Sequence, residues 1–209
     1  MTQSKTLRRW ELALLLGVAL AALLGVWLDG AQAALSDRVI RLHVLANSDS
    51  EADQALKLRV RDAVLAEAEE LFVPGAGRAE TEELLRAHLY DLAAAGAEVV
   101  GEAGYSYPVT ASLVHDYWFP TKTYTDFALP AGAYTALRIE IGAGGGQNWW
   151  CVVFPPLCTT AACDFQETAV SGGLGEEDLS LITEEDGGYV LRFRAVELWE
   201  GLRQWLGKH

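Results

Sequence analysis

Three cysteines in the C-terminal half of the chain have the clearest capacity for chemistry. They are Cys151, Cys158 and Cys163, and the chain holds no others. Such thiols can form a disulfide, with one cysteine left over, or can stay reduced and pack as small apolar side chains. A bond between Cys151 and Cys158 requires Cα atoms within about 7 Å. The sequence leaves both alternatives open.

A cysteine can also act as a nucleophile. Cys151 combined with His43 or His115 and with Asp49 would make a secreted thiol hydrolase, which we keep as an alternative hypothesis. These residues lie far apart in sequence, and Cys151 falls in a predicted strand instead of at a helix N-terminus that would lower its pKa. A histidine within a strand, as both candidates are, is more often structural than catalytic.

The glycine-rich segment 142–146 has the composition of a phosphate-binding loop. It falls between two predicted antiparallel strands, with no helix N-terminus after it to hold an anion, and therefore predicts a hairpin loop. The many carboxylates form no pair on an apolar background that would raise a pKa for acid catalysis. The sequence thus predicts no catalytic residue, no cofactor and no metal site.

Two adjacent tryptophans, Trp149 and Trp150, lie in a predicted strand. Because side chains alternate along a strand, only one of them can face a given side of the sheet. The other is expected to be shielded by another segment or held for a partner, and tryptophan is enriched where proteins bind each other.

These residues need elements to position them, and the first is a strand at 39–45 followed by a helix. The turn Asn47–Ser50 ends the strand, and Ser50 with Asp53 has the form of a capping box. The helix to about residue 72 carries two apolar stripes. One stripe is expected to meet the sheet: Leu56, Val60, Ala63, Val64 and Leu71. The opposite stripe, Leu58, Leu65 and Phe72, is covered either by the next helix or by a partner protein.

The remaining pattern completes an α+β fold. A second helix is predicted at 81–100, and alternating strands at 107–119, 135–141 and 149–154 predict an antiparallel meander, with odd-numbered residues 109–119 on one face. Residues 164–188 are acidic and glycine-rich and predict a surface excursion. A last strand at 189–194 and an amphipathic helix at 196–206 would pack on the sheet.

The N-terminus has the three parts of a secretory signal: basic residues before position 10, an uncharged apolar run from Leu12 to Leu28, and a small-residue cleavage site at Ala31 and Ala33. We expect cleavage after Ala33, which leaves 34–209 as a single extracytoplasmic domain. Alternatively the segment 10–28 stays as a membrane anchor. The formal charge of −13 makes nucleic acid an improbable partner, since phosphate binding needs a basic surface.

Three blocks of sequence resemble stage II sporulation protein R. The first block comprises 40–50 and 53–62 and includes Arg41, His43, Asn47, Ser48 and Asp49. The others are Phe119–Tyr124 with Leu129–Tyr134, and Asn148–Cys158. The blocks occur in the family's order and cover much of 38–158.

The resemblance implies a sporulation signalling protein, not an enzyme. Members of the family are exported from the forespore into the space between the septal membranes. There they activate a membrane-embedded aspartic protease of the mother cell, which processes pro-sigma-E. The implied partner is the extracytoplasmic part of that protease.

We place the candidate contact surface at the first strand-to-helix turn. Asn47 and Asp49 lie in this turn, and Lys57 and Arg61 lie on the flank of the helix that follows. For Asn47 and Asp49 the competing interpretation is helix capping and pairing with the helix dipole. A third hypothesis for the whole chain is a structural septal protein that keeps its N-terminal anchor.

Overall fold

The computed structural model describes residues 9–73, 75–124, 127–157, 168–170 and 172–183. Helices form where the apolar residues follow a helical period, and strands form where β-branched and aromatic residues alternate with polar ones. The helices are α1 (Arg9–Ser36), α2 (Glu51–Glu70), α3 (Arg78–Ala87), α4 (Leu89–Glu102) and α5 (Glu176–Thr183). The strands are β1 (Ile40–Leu45), β2 (Val109–Phe119), β3 (Lys122–Thr123), β4 (Ala128–Leu129), β5 (Gly132–Ile141) and β6 (Asn148–Phe154).

Four strands form a mixed sheet in the order β2-β5-β1-β6, which confirms the α+β class but not a purely antiparallel meander. Strand β1 lies between β5 and β6, parallel to the first and antiparallel to the second. The segment 142–147 is therefore no hairpin, because the strands it joins are not neighbours. All six residues of β1 are buried, which explains why this strand takes a central position that is covered on both faces.

The two faces of β1 support two separate clusters of buried side chains. Ile40, Leu42 and Val44 belong to the cluster under α2 and α4, which we call the helix face. Val39 belongs to the opposite cluster, and the buried side chains of Arg41 and His43 contact rings of that same cluster. We call this side the second face.

The helix layer differs from the sequence prediction at one point. The single helix predicted at 81–100 is two helices, α3 and α4, which meet at His88, where φ is −110° and ψ is 19°. A ring nitrogen of His88 lies 2.9 Å from the carbonyl oxygen of Leu84, which also accepts a hydrogen bond from the backbone N–H of His88 at 3.2 Å.

The second apolar stripe of α2 is covered only in part. Leu65 is buried in the helix-face cluster, and the ring of Phe72 packs edge-on against Phe154 with centroids 5.8 Å apart. Leu58 remains 36% exposed. The fold therefore covers the C-terminal part of this stripe and leaves its N-terminal part at the surface.

A β-bulge in β2 reverses which side its odd-numbered residues face. Val114 pairs with Ala136 and Tyr117 with Tyr134, so two residues of β2 oppose the single residue between those partners. Asp116 takes a φ of 52° there. Val109, Ala111 and Leu113 consequently pack on the helix face, whereas Tyr117 and Phe119 pack on the second face. The prediction that all odd residues share one face was wrong.

The second face is covered from both ends of the chain. Leu35 from α1 packs there with Ala169, Leu174 and Ile182, all of them essentially buried. Part of the predicted surface excursion at 164–188 thus belongs to the core. The predicted strand at 189–194 and helix at 196–206 lie outside the described residues.

An ion pair fastens α5 to the segment after α1. Arg38 Nη1 lies 2.5 Å from Asp178 Oδ2, and the same oxygen accepts a hydrogen bond from the backbone N–H of Gly175 at 2.8 Å. The Arg38 side chain is 46% exposed. Such a solvated pair contributes little free energy, so the apolar contacts of α5 must supply most of its attachment.

Helix α1 continues through the predicted cleavage site. The carbonyl oxygen of Ala33 accepts hydrogen bonds from the Asp37 N–H and the Ser36 hydroxyl, both at 3.0 Å. Cleavage after Ala33 stays a prediction. Within the part of the chain that the structure describes, no helix has both the length and the apolar character needed to cross a membrane.

Candidate partner-binding surface

The strand-to-helix turn is organised by the carboxylate of Asp53. Ser50 caps α2 by accepting a hydrogen bond from the Asp53 N–H at 3.1 Å, as the capping-box pattern predicts. The Asp53 carboxylate accepts from the Ser48 hydroxyl at 2.5 Å and from Asn47 Nδ2 at 2.9 Å. These hydrogen bonds favour the charged form of the carboxylate and therefore hold the pKa of Asp53 below its usual value. The bond from Ser48 has the largest effect.

A loop that crosses the end of β1 is hydrogen-bonded to this turn. We call residues 46–49 together with the loop 142–147 the clamp. Asn47 Oδ1 accepts from the Ala143 N–H at 3.0 Å, and Asp49 Oδ1 accepts from the Gln147 N–H at 2.7 Å. Backbone bonds from Gly146 to Ala46 and from Gly145 to Asn47 add to these. Asn47 and Asp49 therefore hold the loop, and neither caps the helix.

Two glycines of the clamp are required by its geometry. Gly142 has a φ of +61°, and a Cβ there would overlap the side chain of Asn47. A Cβ on Gly146 would overlap the carbonyl group of Ser48. The composition that suggested a phosphate loop thus serves close contact between two segments of the chain.

Lys57 connects α2 to the clamp through a hydrogen bond of its side chain. Its ammonium group donates to Gln54 Oε1 at 2.6 Å and to the carbonyl oxygen of Gln147 at 2.8 Å. The residue is only 4% exposed, and this burial lowers the pKa of its ammonium group. As a partner contact Lys57 stays a prediction, but the structure already uses its charge inside the molecule.

Arg61 and Trp149 meet at the edge of the helix face. The guanidinium carbon of Arg61 lies 4.4 Å from the centre of the Trp149 ring, within the range of a cation–π interaction. Arg61 also pairs with Asp62 at 2.6 Å. Leu58 precedes Arg61 by nearly one helical turn and is partly exposed. We call Leu58, Arg61 and Trp149 the α2 rim. Leu58 is exposed there, and the side chains of Arg61 and Trp149 are partly buried.

Trp150 packs on the second face and Trp149 on the helix face, which confirms the alternation expected from the sequence. Both rings are partly buried, so each is shielded by the protein itself. Trp150 lies near His43, with ring centroids 6.3 Å apart. A role of either tryptophan in partner contact stays a prediction.

The residues of the hydrolase hypothesis are not brought together. Cys151 is buried on the helix face, whereas His43 contacts the aromatic rings of the second face. Asp49 is bonded to the clamp, and His115 lies beside Glu82 and Thr135 at 3.3 and 3.2 Å. Cys151 is disulfide-bonded, so its sulfur is not a thiolate in this structure. Its bonding partner lies outside the described residues, as do Cys158 and Cys163.

Sequence reasoning missed several residues of this surface. Ser48, Gln54 and Gln147 form hydrogen bonds in or next to the clamp, and Arg41 is buried on the second face. His43, which the sequence analysis considered only as a candidate base, is buried beside it. The capping-box pattern pointed to Asp53, but no local pattern indicates that segments near 47 and 145 touch. Among the described residues, no three His, Cys, Asp or Glu side chains are placed to hold a metal ion.

The polar side chains of this surface are thus bonded within the molecule. A family model for stage II sporulation protein R matches residues 36–164. The chain belongs to this family, and the match includes the clamp, the α2 rim and all four strands of the main sheet.

Stage II sporulation protein R of Bacillus subtilis (strain 168) is 40% identical over 124 residues. That match covers 59% of this chain and 55% of the relative, so the aligned part spans just over half of the relative's length. No solved structure matches the chain. Family membership therefore establishes a role in sporulation.

Proposed function

We propose that the protein is an exported signal that activates a membrane-embedded aspartic protease across the sporulation septum, which leads to processing of pro-sigma-E. The observation that carries the proposal is the family match over 36–164. The protein acts as a ligand of the protease from the septal intermembrane space and has no catalytic role. The sequence pattern at residues 1–33 supports export from the forespore.

A ligand activates a protease only if it binds the active state more tightly than the inactive one. A hundredfold preference supplies about 2.7 kcal/mol, enough to convert a minor state into the major one. A rigid ligand surface suits this task, because little of the binding energy is lost in ordering it. The clamp supplies such rigidity: four hydrogen bonds connect residues 46–49 to the loop 142–147.

We assign the contact to the α2 rim. Leu58 exposes apolar surface, and Arg61 stacked on Trp149 is a pair of residue types enriched at binding hot spots. Asn47, Asp49 and Lys57 act through the clamp by holding this surface in place. Their side chains are engaged within the molecule.

The test is reconstitution in a non-sporulating host that expresses the protease, pro-sigma-E and this chain. The full chain is compared with one that lacks residues 1–33. We expect processing of pro-sigma-E only with the exported form. Equal processing by the cytoplasmic form, or none with confirmed export, would reject the external activator.

The rim is tested in the same assay with Leu58→Glu. Ala66→Glu adds the same charge at another exposed position of α2 and serves as the control. We expect Leu58→Glu to reduce processing at least tenfold and Ala66→Glu to leave it unchanged. Equal activity of both variants would place the contact elsewhere.

A further inference from the structure

The second face of the sheet has a cluster of buried polar atoms without hydrogen-bond partners. Of the seven such side-chain atoms among the described residues, five lie here: Nε and Nη1 of Arg41, Nδ1 of His43, Nε of Arg138 and Nε1 of Trp150. Buried polar groups in native proteins are nearly always satisfied. A concentration of exceptions on one face therefore indicates that an interacting group is missing.

Arg41 is the most demanding member of the cluster. Its side chain is fully buried, and among the described residues its Nη2 donates a hydrogen bond to the Tyr124 hydroxyl at 3.3 Å. The rings of Phe119 and Tyr134 lie 4.1 and 5.0 Å from the guanidinium carbon. Among the described residues no carboxylate pairs with it. Ring faces offset part of the cost of burying this cation, but they leave two of its nitrogen atoms unbonded.

The chemistry of the unpaired atoms defines what is missing. The two Arg41 nitrogens and the Trp150 indole nitrogen are all donors. Tyr124 connects the two residues, since its hydroxyl accepts from Arg41 and donates to the Trp150 carbonyl oxygen at 3.2 Å. Each of these donors needs an acceptor oxygen of its own, and the positive charge of the buried guanidinium favours an anion as the source. The complementary group is a carboxylate.

We propose that the second face is a carboxylate-binding site in which Arg41 forms the ion pair and the Trp150 indole donates a further hydrogen bond. The carboxylate comes from a small free acid or from an acidic side chain of the partner protein. The second source rests on the proposed function. Entry requires movement of the side chains above this face, where α5 is fastened by the half-exposed Arg38–Asp178 pair.

The first arm of the test measures thermal unfolding of the full chain in sodium acetate against sodium chloride of equal ionic strength. A tenfold excess over the dissociation constant raises the midpoint by roughly 3–6 °C for a domain of this size. Arg41→Met should abolish this shift. Arg86→Met is the control, because Arg86 lies on α3, outside the sheet, and pairs with Glu82 at 2.6 Å.

The second arm measures pro-sigma-E processing with the same variants. An acetate shift that depends on Arg41 supports a small free acid. Without that shift, loss of processing in a folded Arg41→Met chain, while Arg86→Met remains active, supports a partner carboxylate. If neither an acetate shift nor a loss of processing is found, the proposed site is rejected. Arg41 is then a structural cation stabilised by the rings of Phe119 and Tyr134. If the native chain itself fails to support processing, the proposed function fails and the acetate arm alone decides this inference.

Trp150→Phe keeps the test decisive if Arg41→Met does not fold. It removes the indole donor while keeping an aromatic ring, and it should weaken the acetate shift or the processing without abolishing either. A Trp150→Phe chain that matches the native protein in both measurements would exclude the indole from the site.

Discussion

Asn47 bonds in two directions at once: its Nδ2 donates to the Asp53 carboxylate at 2.9 Å, and its Oδ1 accepts from the Ala143 N–H at 3.0 Å. The start of α2 and the loop that follows β5 are thereby joined through a single amide. A change at Asp53 should consequently reach a loop almost a hundred residues away in sequence.

Asp53→Asn should destabilise the protein at neutral pH and reduce the dependence of its stability on acid. The folded-state pKa of Asp53 is depressed, so its contribution is present above the unfolded carboxyl pKa and is lost as pH falls through the folded one. Urea unfolding from pH 7 to pH 3 measures both effects. Glu51→Gln, at an exposed position of the same helical turn, is the control and should show neither.

Gly146→Ala should cost about 1–3 kcal/mol of unfolding free energy, because the new methyl group overlaps the Ser48 carbonyl. Gly101→Ala is the matched control. Gly101 lies in α4 with open space around it, so alanine there should stabilise the helix by about 0.5–1 kcal/mol. Chemical denaturation of the three proteins decides the matter. Equal stability of Gly146→Ala and the native chain would mean that the clamp accommodates the methyl group with no loss of unfolding free energy.

His43→Gln should remove part of the loss of stability on mild acidification. Burial of the imidazole lowers its pKa, with a smaller opposing effect of the hydrogen bond to Asn148. Arg138 lowers this pKa further, and Glu140 raises it.

The unfolded state therefore takes up the His43 proton first, and stability falls as pH drops below about 6.5 towards the folded-state value. Unfolding at pH 7.5 and pH 5 compares the native chain with His43→Gln, and His88→Gln serves as a control. A native protein equally stable at both pH values would contradict this account.

Ile182→Ala should destabilise the fold by about 2–5 kcal/mol, as expected for a fully buried aliphatic side chain. Val170→Ala tests the specificity of the effect, since Val170 is 56% exposed and its truncation should change stability by less than about 0.5 kcal/mol. Calorimetric unfolding distinguishes them. If both substitutions change stability by a similarly small amount, residues 172–183 do not belong to the core and form the surface excursion predicted from the sequence.

Local patterns in the sequence predicted the elements but not their arrangement. The helix cap by Ser50 and the opposite faces of Trp149 and Trp150 were predicted correctly, because each depends on neighbours within a few residues. The reciprocal bond of a capping box is not made, since the Ser50 N–H donates to the Ser48 hydroxyl instead of to the Asp53 carboxylate. The position of β1 between β5 and β6 depends on pairing between distant segments, which alternation does not specify.

The bulge in β2 shows why a correct strand can still give wrong faces. Consecutive apolar residues at Leu113 and Val114 and consecutive aromatic residues at 117–119 fit either face, so the pattern around Asp116 does not mark the extra position. One inserted residue nevertheless moved Tyr117 and Phe119 to the second face, beside Arg41 and His43. The aromatic surroundings of these two buried residues could not be derived from periodicity for that reason.

The central place of β1 also affects the order in which the chain can fold. Ile40 pairs with Thr135 on one side and with Phe154 on the other. The first strand in the sequence therefore cannot pair until the last two strands of the main sheet, β5 and β6, have formed. A polypeptide that emerges N-terminus first keeps both edges of this apolar strand unpaired until most of the domain has appeared. Sheets with such distant pairings close slowly and expose strands that can aggregate meanwhile. The helices α2, α3 and α4, whose contacts are local, are available to shelter the helix face of β1 during that interval.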